Sequence, residues 1–258
     1  MTEQDAVRAA AEAFQAATER LADVVPNGFH QRGPADALLT VTGSLIPVLN
    51  GIMSVSDVPD AQEITLLCEK LQPYVEQLPW SIRLRGEAGQ EITGLAARHG
   101  LTTRTEQPFM LLSLKDAQER QGTGSGSVTV RPLAADEHET FATVLGTAFG
   151  APPMIISSLY TPHVLGQPFV TTYLAETDGT PVGAGLAIVG ERHVGLANIG
   201  VLPVHRRRGA GRALVEAILR DASAAGAHTA YLHSSDEALP LFEQLGFRTR
   251  ESWSVFTA

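Results

Sequence analysis

The stretch of this chain whose residue types and spacing could do chemistry is Arg206-Arg207-Arg208-Gly209-Ala210-Gly211-Arg212. It follows an apolar run of strand length, residues 194–201, which Pro203 closes because proline cannot donate to a sheet ladder. After it, Leu214, Ala217, Ile218, Ala222 and Ala225 recur with helical spacing on one face, and Gly226 suits the end of that helix. The basic turn therefore sits at a helix N-terminus. The first turn of a helix leaves backbone N–H groups unpaired and carries the positive end of the macrodipole, so an anion fits there. Gly209 and Gly211 let the backbone bend and come close to a phosphate, and the arginines add charge and planar donors. The predicted chemistry is a pyrophosphate cradle. It is neither a dinucleotide fingerprint, which needs a third glycine, nor a P-loop, which ends in Gly-Lys-Ser/Thr.

With its flanks, the order Val201-x-Pro203-x-x-Arg206-x-x-Gly209-x-Gly211-x-Ala213-Leu214 resembles the acetyl-CoA motif of the GNAT superfamily of N-acetyltransferases. Ala230-Tyr-Leu-His-Ser-Ser235 and Leu241-Phe-Glu-Gln-Leu-Gly-Phe247 follow where that fold has its next strand and last helix. The resemblance covers residues 128–258. It implies acetyl-CoA as cosubstrate, a central strand that splays from its successor, and pantetheine lying in the gap. It also implies that the strand edge at Ile199, Gly200 and Val201 polarises the thioester carbonyl. Arg206, Arg207, Arg208, Gly209, Ala210, Gly211 and Arg212 would hold the pyrophosphate, and Ser235 would hydrogen-bond the pantetheine arm. Phe242, also expected among the cofactor-contacting residues, stands where the family often has a tyrosine that protonates the leaving thiolate; phenylalanine cannot do so. A thiolate with a pKa of about 8.5 can leave without a dedicated acid. For a base, His233 on the strand across the gap is the first candidate, ahead of His193, Glu176, Tyr160 and Tyr173; no motif fixes any of them. The implied activity is transfer of an acetyl group to an amine of a small molecule or peptide. A non-catalytic acyl-CoA-binding or scaffold protein is the alternative.

Composition narrows the setting. The 258 residues are 44% hydrophobic, enough to bury a sizeable core. Cys68 is the one cysteine, so no intramolecular disulfide forms and a small buried role is expected for it. The acidic start and the lack of a long uncharged apolar span predict a soluble, cytoplasmic protein with no membrane partner. A net charge of −9 argues against non-specific nucleic-acid binding. The eight histidines show no metal-ligand spacing, so no metal is expected. Acetyl-CoA and an amine acceptor are the expected partners, and a homodimer is compatible with the sequence.

The elements that must position the basic turn read as an α+β fold of two GNAT-like halves. Each half is expected to be a mostly antiparallel mixed sheet flanked by helices. Helical spacing predicts residues 3–25, a helix from Pro59-Asp60 to about Leu78, and one near 88–99. Strands are predicted at 38–43, 48–55, 80–85 and 109–114. Leu95-x-x-x-x-Gly100-Leu101-x-Thr103-Arg104 matches Leu241-x-x-x-x-Gly246-Phe247-x-Thr249-Arg250 at one constant offset, which reads as a diverged internal repeat. In the first copy the turn before the central helix is Ser54-Val-Ser-Asp-Val-Pro-Asp60, with no glycine pair and no arginine; Asp57 and Asp60 would repel a phosphate. Residues 1–120 are therefore expected to form a degenerate domain without a cofactor loop, and 126–258 the acetyl-CoA-binding domain. The Gly/Ser-rich stretch 119–127 would link them. In the second half, Asp178-Gly179 marks a hairpin, and residues 151–168, with Met154, Ile155, Ile156, Leu159 and Tyr160, are expected to wall the acceptor pocket.

Overall fold

The computed structural model describes residues 2–115 and 128–258. The expected linker at 119–127 lies outside the described residues. Two compact units result, Met1–Phe109 with Thr249–Ala258, and Met110–Arg248. Each boundary thus falls inside a strand rather than at 120–126, because the end of the chain pairs with the first unit.

In the first unit, α1 (Glu3–Val24) opens with a capping box in which Thr2 and Asp5 satisfy each other's backbone N–H groups. Then come β1 (Phe29–Arg32), β2 (Leu38–Val41), β3 (Gly51–Ser54), α2 (Ala61–Val75), β4 (Ser81–Arg85), α3 (Gln90–Arg98) and β5 (Thr103–Ser113). β1 had no clear signal in its polar sequence. The expected strand at 48–55 starts late because Pro47 opens a 3-10 turn over Pro47–Leu49. Asn50 fixes that turn by accepting from the Thr42 N–H and donating to the Ser44 and Pro79 carbonyls. β1–β2 and β2–β3 are antiparallel, and β3–β4 are parallel through the α2 crossover. Leu39, Ile52, Ile64, Leu71, Ile82 and Leu84 form one core layer, and Phe14 of α1 packs edge-on to Trp253 at 5.7 Å on the other.

The second unit contains β6 (Val128–Pro132), α4 (His138–Phe149), α5 (Pro153–Ser157), α6 (Pro162–Leu165), β7 (Val170–Thr177), β8 (Thr180–Val189), β9 (His193–Val201), α7 (Ala210–Ala224), β10 (Thr229–His233) and α8 (Leu239–Gln244). The last strand, β11 (Arg248–Thr257), pairs antiparallel with β4 through its Trp253–Phe256 portion. β6, β7, β8 and β9 run as an antiparallel meander, and β9–β10 are parallel through the α7 crossover. Positive φ at both Asp178 (50°) and Gly179 (75°) gives the β7–β8 hairpin the turn whose twist suits its strands. Leu214, Val215 and Ile218 of α7 close the core beneath the meander. The architecture is a mixed α+β fold.

The two units share one order, antiparallel, antiparallel, then parallel through a helix, which in the second unit is preceded by one further antiparallel pair, β6–β7. The sequence repeat also folds alike in both copies. Leu101 donates to the Ala96 carbonyl and Phe247 to the Phe242 carbonyl, both at 3.0 Å. Gly100 (φ 76°) and Gly246 (φ 99°) make the left-handed turn between helix and strand that these bonds require.

Candidate functional site

The site begins with an irregularity in β9. Its pairing with β8 runs Gly183 with Val201 and Ala184 with Gly200, then resumes at Leu186 with Ala197. Gly185 therefore faces two residues, Asn198 and Ile199, and Asn198 has φ 54°. This is a β-bulge, which bends the strand and re-aims the residues after it. On its other edge β9 pairs with β10 only over His193–Gly195, against Thr229–Tyr231. Beyond Gly195 the two parallel strands part, so the edge carrying Ile199, Gly200 and Val201 has no ladder to β10. Gly200 is small because α4 lies directly on the strand: a Cβ there would stand 2.8 Å from Leu145 Cδ2 and 3.0 Å from Ala148 Cβ.

Beyond β9, Pro203–His205 form a 3-10 turn and the chain enters α7. Gly209 is the N-cap residue, with φ 91° and ψ −9° and no side chain to cap the helix. The first intrahelical bond runs from Ala213 N–H to the Gly209 carbonyl at 2.9 Å. The N–H groups of Ala210, Gly211 and Arg212 lie before that bond and are the orphan donors of the helix start. At Gly211 a Cβ would approach Leu241 Cδ2 to 3.2 Å, so glycine keeps α7 close to α8. The first unit shows the contrast. Asp60 caps α2 with its own carboxylate, accepting from the Gln62 and Glu63 N–H groups at 2.9 and 3.0 Å. There β3 is laddered to β4 along its whole length.

The parted strands and the open helix end border a cleft of about 600 Å³. Ile199, Gly200, Val201, Arg206, Arg207, Gly209, Ala210, Gly211, Arg212 and Ser235 all line it. Arg206 departs from the simple phosphate contact expected of it. Its Nε donates to the Val201 carbonyl (3.3 Å), Nη2 to the Ala148 carbonyl (2.8 Å) and Nη1 to Glu237 Oε1 (2.9 Å). It braces the loop against β9 and α4. Ser235 accepts from the Ala238 N–H at 3.3 Å, leading the chain into α8.

Arg208, His233 and Phe242 are not among the lining residues. Phe242 is 5% exposed and packs edge-on to Phe247 at 5.7 Å; α8 turns Leu241 and Gln244 to the cleft and sends this ring into the core. His233 ends β10 and is half-buried. The other base candidates also lie outside the lining. Glu176 accepts from Arg131 Nε, and the Tyr173 hydroxyl donates to Asp221 at 3.2 Å while burial pushes its pKa up. Burial holds Tyr160 up at about 12, with its hydroxyl facing the Asn198 side chain. His193 is pushed down by burial, then by Arg192 and His228, and starts β9 at the laddered end. Residues 151–168 do not wall this cleft either. Ile156, Leu159, Tyr160 and Val164 are buried, with Tyr160 edge-on to Phe141 at 5.7 Å, so their apolar character serves the core.

Sequence reasoning missed the lining contributed by Phe149 at the end of α4 and by Glu237, Pro240 and Gln244 before and within α8. Phe149 did carry a signal, since it is a large apolar residue at the last position before the helix-ending Gly150. Among the described residues no cluster of three potential metal ligands occurs, and no helix is long and apolar enough to cross a membrane.

Residues 138–247 match the model of the acetyltransferase (GNAT) family. Over this span the sequence is similar to a GNAT acetyltransferase domain. The matched span lies within the second unit and contains α4, the bulged strand and the α7 loop. Among solved structures, a GCN5-related N-acetyltransferase from Kribbella flavida is 20% identical with a TM-score of 0.68, covering 96% of this chain and 95% of its own. A conserved protein of unknown function from Staphylococcus epidermidis is 15% identical with a TM-score of 0.67, covering 91% and 95%. A Drosophila protein is 17% identical with a TM-score of 0.58, covering 86% and 74%. These likenesses are of fold, and the first two extend over the matched span and the unit before it. No curated protein matches the sequence.

Proposed function

We propose that this protein transfers an acetyl group from acetyl-CoA to an amine of a small molecule or peptide, with the amine attacking the thioester directly. The observation that carries the reading is the junction of two open backbone edges in one cleft: the start of α7, capped only by Gly209, and the edge of β9 where its ladder to β10 has ended. Their donors fit the two ends of such a cosubstrate. The N–H groups of Ala210, Gly211 and Arg212 suit a pyrophosphate, with Arg207 and Arg212 adding charge at the lining. A Cβ at Gly209 would force a left-handed backbone on an ordinary side chain, which explains the residue there. The unladdered edge at Ile199, Gly200 and Val201 suits the thioester carbonyl, where a preorganised N–H stabilises developing negative charge.

Acetyl-CoA supplies the activated acyl group. The chain's own residues orient it and hold the oxyanion. Glu237 is the one carboxylate among the lining residues and it is paired with Arg206, while no histidine, tyrosine or cysteine lines the cleft. Proton removal from the amine then falls to solvent or to the acceptor's own neutral fraction, and a thiolate with a pKa of about 8.5 leaves without an acid.

The same lack of an acid and a base favours a second reading, an acyl-CoA-binding protein that does not turn over. Calorimetric titration with acetyl-CoA, with free CoA as control, tests the cleft. Saturable binding is expected, and Gly209→Glu should abolish it while the variant still folds, at a cost of about 1–2 kcal/mol for a side chain in the left-handed backbone there. Unchanged affinity in that variant sinks the assignment. Thiol release on adding a panel of amines separates enzyme from binder, because the binder saturates without releasing CoA.

A further inference from the structure

Two polar bridges span the cleft, from the loop and first turn of α7 to the segment around α8: Arg206 to Glu237 at 2.9 Å and Arg212 Nη2 to Gln244 Oε1 at 3.2 Å. All four residues line the cleft. The first bridge is asymmetric. Two edges of the Arg206 guanidinium are fixed by backbone carbonyls, from Val201 and Ala148, and these bonds hold the loop against β9 and α4. Only Nη1 faces a side chain, and that side chain is the one acid among the lining residues, whose other charged members are Arg206, Arg207 and Arg212. Glu237 is 77% exposed and Arg206 41%, so their attraction is screened and weak.

Resting on the acetyl-CoA reading above, we propose that Glu237 is an affinity-setting latch of the cleft: its carboxylate holds the Nη1 donor of Arg206, and a cofactor phosphate takes that donor in its place. The brace to Val201 and Ala148 stays made, so the loop need not rebuild when the partner of Nη1 changes. The pyrophosphate as a whole carries two negative charges against the carboxylate's one, and its oxygens also accept from a guanidinium in pairs, which makes the exchange favourable. Glu237 then costs affinity in two ways. It must be displaced, and it leaves a negative charge beside the phosphates.

The test is acetyl-CoA affinity by calorimetry, with thermal-shift stabilisation by free CoA as a second readout, on the full chain. Glu237→Gln should tighten binding about three- to fivefold, the size expected from removing one exposed ion pair of up to about 1 kcal/mol. Asp236→Asn removes the adjacent exposed charge, which has no ion pair among the described residues, and should tighten binding less. In an Arg206→Ala background Glu237→Gln should bring a gain no larger than that of Asp236→Asn in the same background, because the donor in dispute is gone and only a charge near the phosphates is removed. Weaker binding in Glu237→Gln would show that the carboxylate orients Arg206 for the cofactor, and would overturn the latch. Equal tightening by Asp236→Asn would reduce the effect to net charge and overturn it as well. If Arg206→Ala does not fold, the comparison of the two acid variants still decides. Failure of the wild-type protein to bind acetyl-CoA, with Gly209→Glu no different from it, would instead overturn the underlying reading.

Discussion

Arg83 shows what a single residue can hide in a sequence. Trp80-Ser-Ile-Arg-Leu-Arg85 alternates apolar and polar, which predicts a strand with its arginines in solvent. The whole strand is buried instead, and Phe14 of α1 lies over Arg83 on that face. Arg85 resolves its burial with Glu251 at 2.8 Å and Asp57 at 2.6 Å. Arg83, 7% exposed, lies over the Phe14 ring at 4.9 Å, and no carboxylate pairs with it among the described residues. Burial pushes its pKa down to about 10. A buried cation without an ion pair is a stability cost, and an apolar residue of similar length removes it. Arg83→Met should therefore raise stability by about 1–2 kcal/mol, or the melting temperature by a few degrees. The sign of the pH dependence follows from the lowered pKa. The fold disfavours the charged form at every pH below about 10, so the variant's advantage is full at pH 7 and shrinks as pH climbs above 10 toward the ordinary, higher value of an unfolded arginine. Thermal melts at pH 7 and 10.5 check both parts. A lower melting temperature in the variant at pH 7 would mean that the guanidinium has a structural partner after all.

At the scale of elements, the two crossover helices differ in one cap, and that difference was legible. An acid before a helix and a glycine before another are backbone instructions, fixed within a few residues and independent of the rest of the chain. Asp60 at α2 and Gly209 at α7 behave as their types dictate, as do Gly100 and Gly246 in the repeated turn. Side chains that reach the cleft from distant elements carry no such local mark. Phe149 comes from α4, and Glu237 enters from the segment ahead of α8. The position of Phe242 was equally hidden, because a six-residue helix with Pro240 in its first turn leaves little sequence from which to judge its inward face. The caps lead to a prediction at this scale. Asp60→Ala removes the acceptor for two N–H groups and should cost about 1 kcal/mol of stability. It should not create a CoA site, because the ladder between β3 and β4 stays closed over all of β3. Chemical denaturation reads the first effect, and calorimetry with CoA the second. New CoA binding in Asp60→Ala would show that the cap alone had silenced the first unit.

For the molecule as a whole, the repeat raises the question of how many cofactors one chain holds. Both units have the same strand senses and the same helix-to-strand joint, so ancestry or fold alone would allow two sites. Physical chemistry allows one. A phosphate site needs unpaired donors and a neighbouring opening, and the second unit has both: an uncapped α7 and strands that part after Gly195. The first unit has neither, since Asp60 fills the helix start with a charge of the wrong sign and β4 fills the strand edge. The GNAT family match likewise spans only residues 138–247. Titration of the full chain with acetyl-CoA should therefore saturate at one equivalent per chain. Gly209→Glu should remove that binding entirely rather than expose a weaker second phase. Two equivalents, or a residual phase in the variant, would mean that the first unit binds through groups other than the helix start and the strand edge. The closed architecture around Asp60 would then have to be read as one state of a unit that opens.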